Sequence, residues 1–244
     1  RQKGAGFDRG TQYFADRAVK RGEELFQVAP GNPPTPREPH FGCEACHGVE
    51  GVGGVAPFSL ADPLNPNAPP KQVQWAAPAL NTVALRYRPE EITNILVYGR
   101  AGTPMPAWGV KGGGPMNDQQ ISDLVAYLID IALPPAEVQK QNLEQLGTDG
   151  QKVFDAMCSR CHTEGYSYGQ PGTPGGGAFG PALDGGVTTR QFPAVEKHID
   201  WVAKTAAYGQ LYGVRGVSKG VMPHFENMLT PEQIQAVVDY ERTL

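Results

Sequence analysis

Long apolar runs are missing from this chain, cysteine is scarce, and positive charge is gathered nowhere along its 244 residues. No apolar stretch approaches the roughly 18–20 residues of a membrane-spanning helix, so a soluble chain is expected. The formal charge is −4. Without a Lys/Arg cluster to neutralise phosphates, nucleic acid is not an expected partner. What the chain has in abundance is turn formers, 31 glycines and 23 prolines. That is close to twice average usage and excludes a coiled coil or a helical repeat array. The length suits one large domain or two of about 100–150 residues, with long loops.

The four cysteines decide the chemistry. They fall in two pentamers, Cys43-Glu44-Ala45-Cys46-His47 and Cys158-Ser159-Arg160-Cys161-His162, with none left over. Both read C-x-x-C-H, the signature of covalent c-type haem attachment. A random chain of this composition holds one such pentamer with a probability of roughly 10⁻³ and two with roughly 10⁻⁶.

Other uses of four cysteines fit less well. A Cys-x-x-Cys disulfide closes almost no chain and gives no reason for a histidine after each pair. Two copies about 115 residues apart look more like duplication than one shared Cys₄ zinc site. A thioredoxin-like pair needs a strand–helix context, and little β pattern is visible. Haem suits the spacing physically. Two thiols on one helical turn span the vinyl-bearing edge of the porphyrin, and the next residue aims its imidazole at the iron. His47 and His162 are therefore the expected proximal ligands.

The flanking residues repeat in the same order. Arg21-Gly22-Glu23-Glu24-Leu25-Phe26 precedes the first motif and Asp149-Gly150-Gln151-Lys152-Val153-Phe154 the second. Ala77-Pro78-Ala79-Leu80 and Gly180-Pro181-Ala182-Leu183 follow them. Next come Tyr98-Gly99 before Met105-Pro106, and Tyr208-Gly209 before Met222-Pro223. Each half closes on an amphipathic helix. Ile121, Leu124, Val125 and Leu128 share one face, with Asn117 or Asp118 as N-cap. Ile234, Val237 and Val238 repeat the offsets with Thr230 as N-cap and Pro231 at the first helical position, but Glu241 makes that stripe shorter. A further helix is expected from Pro89 to Tyr98, stopped by Gly99, with a counterpart over residues 193–208 stopped by Gly209.

In these residues the chain resembles the class I cytochromes c, here as a tandem dihaem protein similar to the dihaem subunits of bacterial bc-type respiratory complexes. The resemblance implies an all-α fold of two such domains; Pro134-Pro135 and the polar stretch after it read as a linker with some helix at 134–147, between domains at residues 1–133 and 148–244. It implies two covalently bound haem c groups. It implies close packing of Gly22 on Tyr127 and of Gly150 on Tyr240 between the first and last helices of each domain. Met105 and Met222, each beside a proline on a loop before the last helix, are the implied sixth iron ligands. His224 is a competitor for Met222. The carbonyls of Pro78 and Pro181 are implied to accept the proximal imidazole N–H, with Pro78 less secure because Ala77 stands where the second copy has Gly180.

Other residues carry weaker expectations. Trp75, Arg86, Tyr87, Arg88 and Arg100 are candidate donors to the first haem's propionates. His198 is expected at the surface or on a propionate, His40 in solvent, and Met228 in the core. Met157 directly precedes Cys158 and cannot reach over a haem, and Met116 stands at the edge of a glycine-rich loop. The insertions at residues 30–36, 57–78 and 172–180 read as loops, the last without a phosphate-binding pattern.

Two Met ligands favour an electron carrier over a dihaem enzyme such as a peroxidase, which needs an open sixth position. No substrate chemistry is therefore expected of the chain itself. A cytochrome subunit of a periplasmic dehydrogenase is the other reading. The implied location is extracytoplasmic and membrane-associated. The implied partners are redox proteins, a quinol-oxidising complex as donor and an oxidase or soluble cytochrome as acceptor. The chain opens at Arg1 rather than Met, so an export signal or anchor is expected ahead of it.

Overall fold

The computed structural model describes residues 4–28, 40–60, 67, 69–101, 103–162 and 180–244. The expected excursion at residues 30–36 and all but the end of the loop at 172–180 lie outside them. Among the described residues no helix is long and apolar enough to cross a membrane.

The chain folds as two compact units. The first comprises Arg1–Phe58, Ala76–Ala84 and Arg88–Ala132, and the second Ser59–Trp75, Leu85–Tyr87 and Leu133–Leu244.

In the first unit α1 (Gly4–Phe26) packs on α4 (Asp118–Asp130), with α2 (Glu44–His47) and α3 (Pro89–Tyr98) between them in sequence. Asn117 caps α4 by accepting the Gln120 N–H at 2.9 Å, and Gln120 returns the bond to the Asn117 N–H at 3.0 Å. This reciprocal pair settles the N-cap on Asn117. Gly22 lets the helices touch: a Cβ there would stand 2.7 Å from the Tyr127 Cβ and collide with the Asp123 carbonyl. Beside this crossing Phe26 and Tyr127 meet at 5.4 Å between ring centroids. Arg21 holds buried Asp123 through two bonds of 2.6 and 2.7 Å, and Gln119 adds a third at 2.9 Å.

The second unit repeats the plan. It holds α5 (Pro135–Leu146), α6 (Gly150–Met157), α7 (Ser159–His162), α8 (Val187–Gln191), α9 (Val195–Lys204) and α10 (Pro231–Glu241). Thr230 and Gln233 form the capping box of α10. A Cβ at Gly150 would stand 2.9 Å from the Tyr240 Cβ, and Phe154 meets Tyr240 at 5.4 Å. Within the expected linker, Pro135–Leu146 form a regular helix. Its Val138 joins the apolar core of the unit beside Val153, Phe154 and Val237.

Several expectations change. The fold carries two small sheets: β1 (Gly54–Leu60) pairs with β2 (Lys71–Ala77), and β3 (Leu211–Tyr212) with β4 (Gly216–Val217). The described ends of the 57–78 stretch are thus paired strands and not a loop, with Val73 and Trp75 buried and Gln72 and Gln74 exposed. That alternation is the ordinary strand period, masked in sequence by the surrounding prolines.

Helix α9 ends at Lys204, well short of Tyr208, because Thr205 takes a positive φ of 52°. The remaining residues form the β3–β4 hairpin, which Tyr212 fastens to α9 by stacking on Trp201 at 3.7 Å. His198 is not at the surface: it pairs with Glu241 at 3.0 Å, both side chains buried, and stacks on Phe192. Glu241 accordingly extends the buried stripe of α10 instead of ending it.

Candidate haem-binding site

Each motif occupies one short helical turn. Cys43 leads into α2 and its carbonyl accepts the His47 N–H at 2.9 Å; the Cys158 carbonyl accepts the His162 N–H at 3.1 Å. The turn brings both cysteines and the histidine of each motif, at offsets of three and four residues, to one side of a short helix.

Backbone bonds then bring the proline segments onto the motifs. The Gly51 carbonyl, just past the first motif, accepts N–H groups from Leu80 and Asn81 at 2.7 and 3.1 Å, while Gly180 donates directly to the Cys161 carbonyl at 3.1 Å. These bonds place Pro78 O 2.9 Å from His47 Nδ1 and Pro181 O 2.8 Å from His162 Nδ1. A carbonyl can only accept, so Nδ1 carries the proton in both rings. Nε2 therefore keeps its lone pair, and each ring is held as a ligand needs to be.

The Met105 loop of the first unit is tied to the end of α3. Gly99, at φ 67°, lets the loop pass so close that a Cβ would stand 2.7 Å from the Met105 carbonyl. Arg100 donates to that carbonyl at 3.0 Å, and the Met105 N–H bonds Thr103 Oγ1 at 3.1 Å. Phe41, two residues before Cys43, meets Trp108, three after Met105, edge to face at 5.7 Å. Sequence reasoning missed this link. Its signal was an aromatic residue close to the motif and another close to the Met-Pro pair.

Met222 is half-buried against the apolar core of the second unit. Its competitor His224 is buried and donates its backbone N–H to the Arg86 carbonyl at 3.0 Å. Met116 is fully buried and Met228 nearly so, both as core residues. The side chain of His40 is half-buried with Nδ1 shielded, rather than in open solvent.

Of the proposed propionate donors, Tyr87 gives its hydroxyl to the Val221 carbonyl at 3.2 Å, and Arg88 pairs with Glu91 at 2.9 Å. Trp75, Arg86 and Tyr87 group with the second unit and Arg88 and Arg100 with the first.

Burial pushes the Cys43 thiol up to about 12 and the Cys158 thiol well above its usual range. Among the described residues, no three His, Cys, Asp or Glu side chains gather into a metal-ion cluster.

The family model for cytochrome c oxidase, cbb3-type, subunit III matches residues 41–128 and again residues 145–240. The chain belongs to this c-type cytochrome family. No curated protein and no solved structure matches it. The cytochrome binds haem c covalently and transfers electrons, and both matched segments contain a C-x-x-C-H pentamer.

The residues present fit that group. Each half of the cytochrome offers two thiols and an imidazole on one turn, with the ring orientation fixed by a proline carbonyl. In the second unit Gly180 adds a cradle, because a Cβ there would stand 2.5 Å from the His162 Cε1.

Proposed function

We propose that the cytochrome is a dihaem electron relay, with one haem c on each motif and His/Met ligation in both units. Cys43 and Cys46 would hold the first group and Cys158 and Cys161 the second. His47 with Met105, and His162 with Met222, would supply the axial ligands. A bound haem c supplies a one-electron iron centre. The chain's own task is then to fix both axial ligands so that little moves between the ferric and ferrous states. The thioether sulfur is a soft, neutral donor that favours ferrous iron and raises the potential.

The observation that carries this reading is the doubled imidazole bond, His47 to Pro78 and His162 to Pro181. Both rings present Nε2 as a ligand, so both motifs are equipped alike.

The extracytoplasmic side of the membrane is the proposed location, within or beside a respiratory complex. A quinol-oxidising complex is the proposed donor and an oxidase or soluble cytochrome the acceptor. The mild acidity of the chain supports partners that present a basic surface.

Optical spectra of the haem-loaded protein, oxidised and reduced, with and without carbon monoxide, test the reading. Two low-spin haems, each with a Met–iron charge-transfer band and neither binding the gas, are expected. A haem that is high-spin or takes up the gas has an open sixth position, and the protein is then a dihaem enzyme.

A further inference from the structure

The Met222 loop is not held as the Met105 loop is. Met105 is tied by bonds to Arg100 and Thr103, its near neighbours in sequence. The bonds flanking Met222 run instead to a segment more than a hundred residues away. The Tyr87 hydroxyl donates to the Val221 carbonyl at 3.2 Å, across a sequence separation of 134. The Arg86 carbonyl accepts the His224 N–H at 3.0 Å. Leu85 lies buried in the same apolar core against which Met222 packs. Leu85–Tyr87 belongs to the second unit although the chain on both sides of it belongs to the first.

The two bonds bracket the dipeptide Met222-Pro223. Pro223 has no N–H of its own, so the loop cannot be tied through that residue's nitrogen. On the N-terminal side the backbone leaves a hairpin through Gly220, at φ 61°. A loop that turns on a glycine and then meets a proline gains its position from whatever grips its carbonyl and its next N–H.

From this we infer that Tyr87 is a positioning residue for Met222. It acts on the sixth ligand of the second haem through the Val221 carbonyl. The inference rests on the ligand assignment proposed above. Tyr87 touches neither iron nor haem in this role. Its hydroxyl restrains the peptide group that precedes the ligand, so that the sulfur stays at the distance where a weak thioether–iron bond forms.

The test uses the haem-loaded protein, unaltered and as Tyr87→Phe, which removes one hydroxyl and keeps the buried ring. Carbon monoxide binding to the reduced protein and the Met–iron band of the oxidised protein are followed together. The Met–iron bond of one haem is expected to open about five- to tenfold more often in the variant, the scale of one lost hydrogen bond, and to show as slow gas uptake that the unaltered protein lacks over the same time. The same haem should lose its Met–iron band at a lower temperature, while the other haem is unchanged. Unaltered gas-binding rates, or equal changes at both haems, overturn the inference.

If the second haem of the unaltered protein lacks a Met–iron band, the assignment of Met222 itself fails and the inference falls with it. Two such bands with a silent variant remove the inference alone. A second measurement needs no variant: the His224 amide is expected to be protected from hydrogen exchange, and free exchange there overturns the bracket.

Discussion

Gly180 lies flat against the imidazole of His162. A Cβ at position 180 would stand 2.5 Å from Cε1 and 2.8 Å from Nδ1, so only glycine lets the ring reach the Pro181 carbonyl. Gly180→Ala is expected to push the ring aside and destabilise the second unit by about 1–3 kcal/mol, the usual scale of overpacking. The haem spectrum of the second motif should change and that of the first should not. The first copy already has Ala77 at the corresponding place, so Ala77→Gly should leave both spectra as they are. A spectrum for Gly180→Ala that matches the unaltered protein would count against the close contact.

The helix crossings make a paired prediction. Gly22→Ala and Gly150→Ala each bring a Cβ into a neighbouring helix backbone, the first at Asp123 and the second at Ala236. Each should cost about 1–3 kcal/mol. For a domain of this size that corresponds to roughly 4–8 °C per kcal/mol in melting temperature. Calorimetry of the haem-loaded protein should show each substitution acting mainly on its own unit.

Asp123 is buried and Arg21 is its partner, at 2.6 Å, with 42% of the arginine side chain exposed. The second copy has Asp149 where the first has Arg21, and among the described residues no such pair stands at its crossing. Arg21→Met would leave a buried carboxylate with only Gln119 to donate to it. A loss of about 1–3 kcal/mol is expected, below the figure for a fully buried pair because Arg21 is partly solvated. The double variant Arg21→Met with Asp123→Asn should recover part of that loss. Full additivity in denaturant unfolding would show that the two residues do not act together.

Glu232 stands in the first turn of α10. Its own backbone N–H and the Thr230 side chain bond its carboxyl and hold it below the ordinary carboxylate value of 4.5. A carboxyl lowered in the folded state contributes stability that is complete above its unfolded value and lost as pH falls through the folded one. The contribution of Glu232 should therefore be present at neutral pH and fade below about pH 4.5. Glu232→Gln should flatten the pH dependence of stability in that acid range alone. NMR titration of the Glu232 side chain at or above its ordinary value would contradict this.

Much of the site was legible because its chemistry is local. A C-x-x-C-H pentamer places two thiols and an imidazole by one helical turn, whatever surrounds it. The capping boxes at Asn117 and Thr230 are equally local, three residues from side chain to N–H. The Gly22–Tyr127 and Gly150–Tyr240 contacts are longer in range, and it was the resemblance to class I cytochromes c that implied them. The β1–β2 pair was hidden for a different reason. Only Gln72, Val73, Gln74 and Trp75 alternate clearly, and the prolines around them speak for a loop.

The sequence alone determined which residues can hold haem and how many motifs there are, because covalent attachment and helix geometry act over four or five positions. Only the tertiary structure decided why Glu241 can be buried, since His198 reaches it from another helix. It also decided that Leu85–Tyr87 grips the loop of Met222 from far along the chain. Such partners are chosen by burial and by unmet hydrogen bonds in the folded chain, and no spacing in the sequence records them.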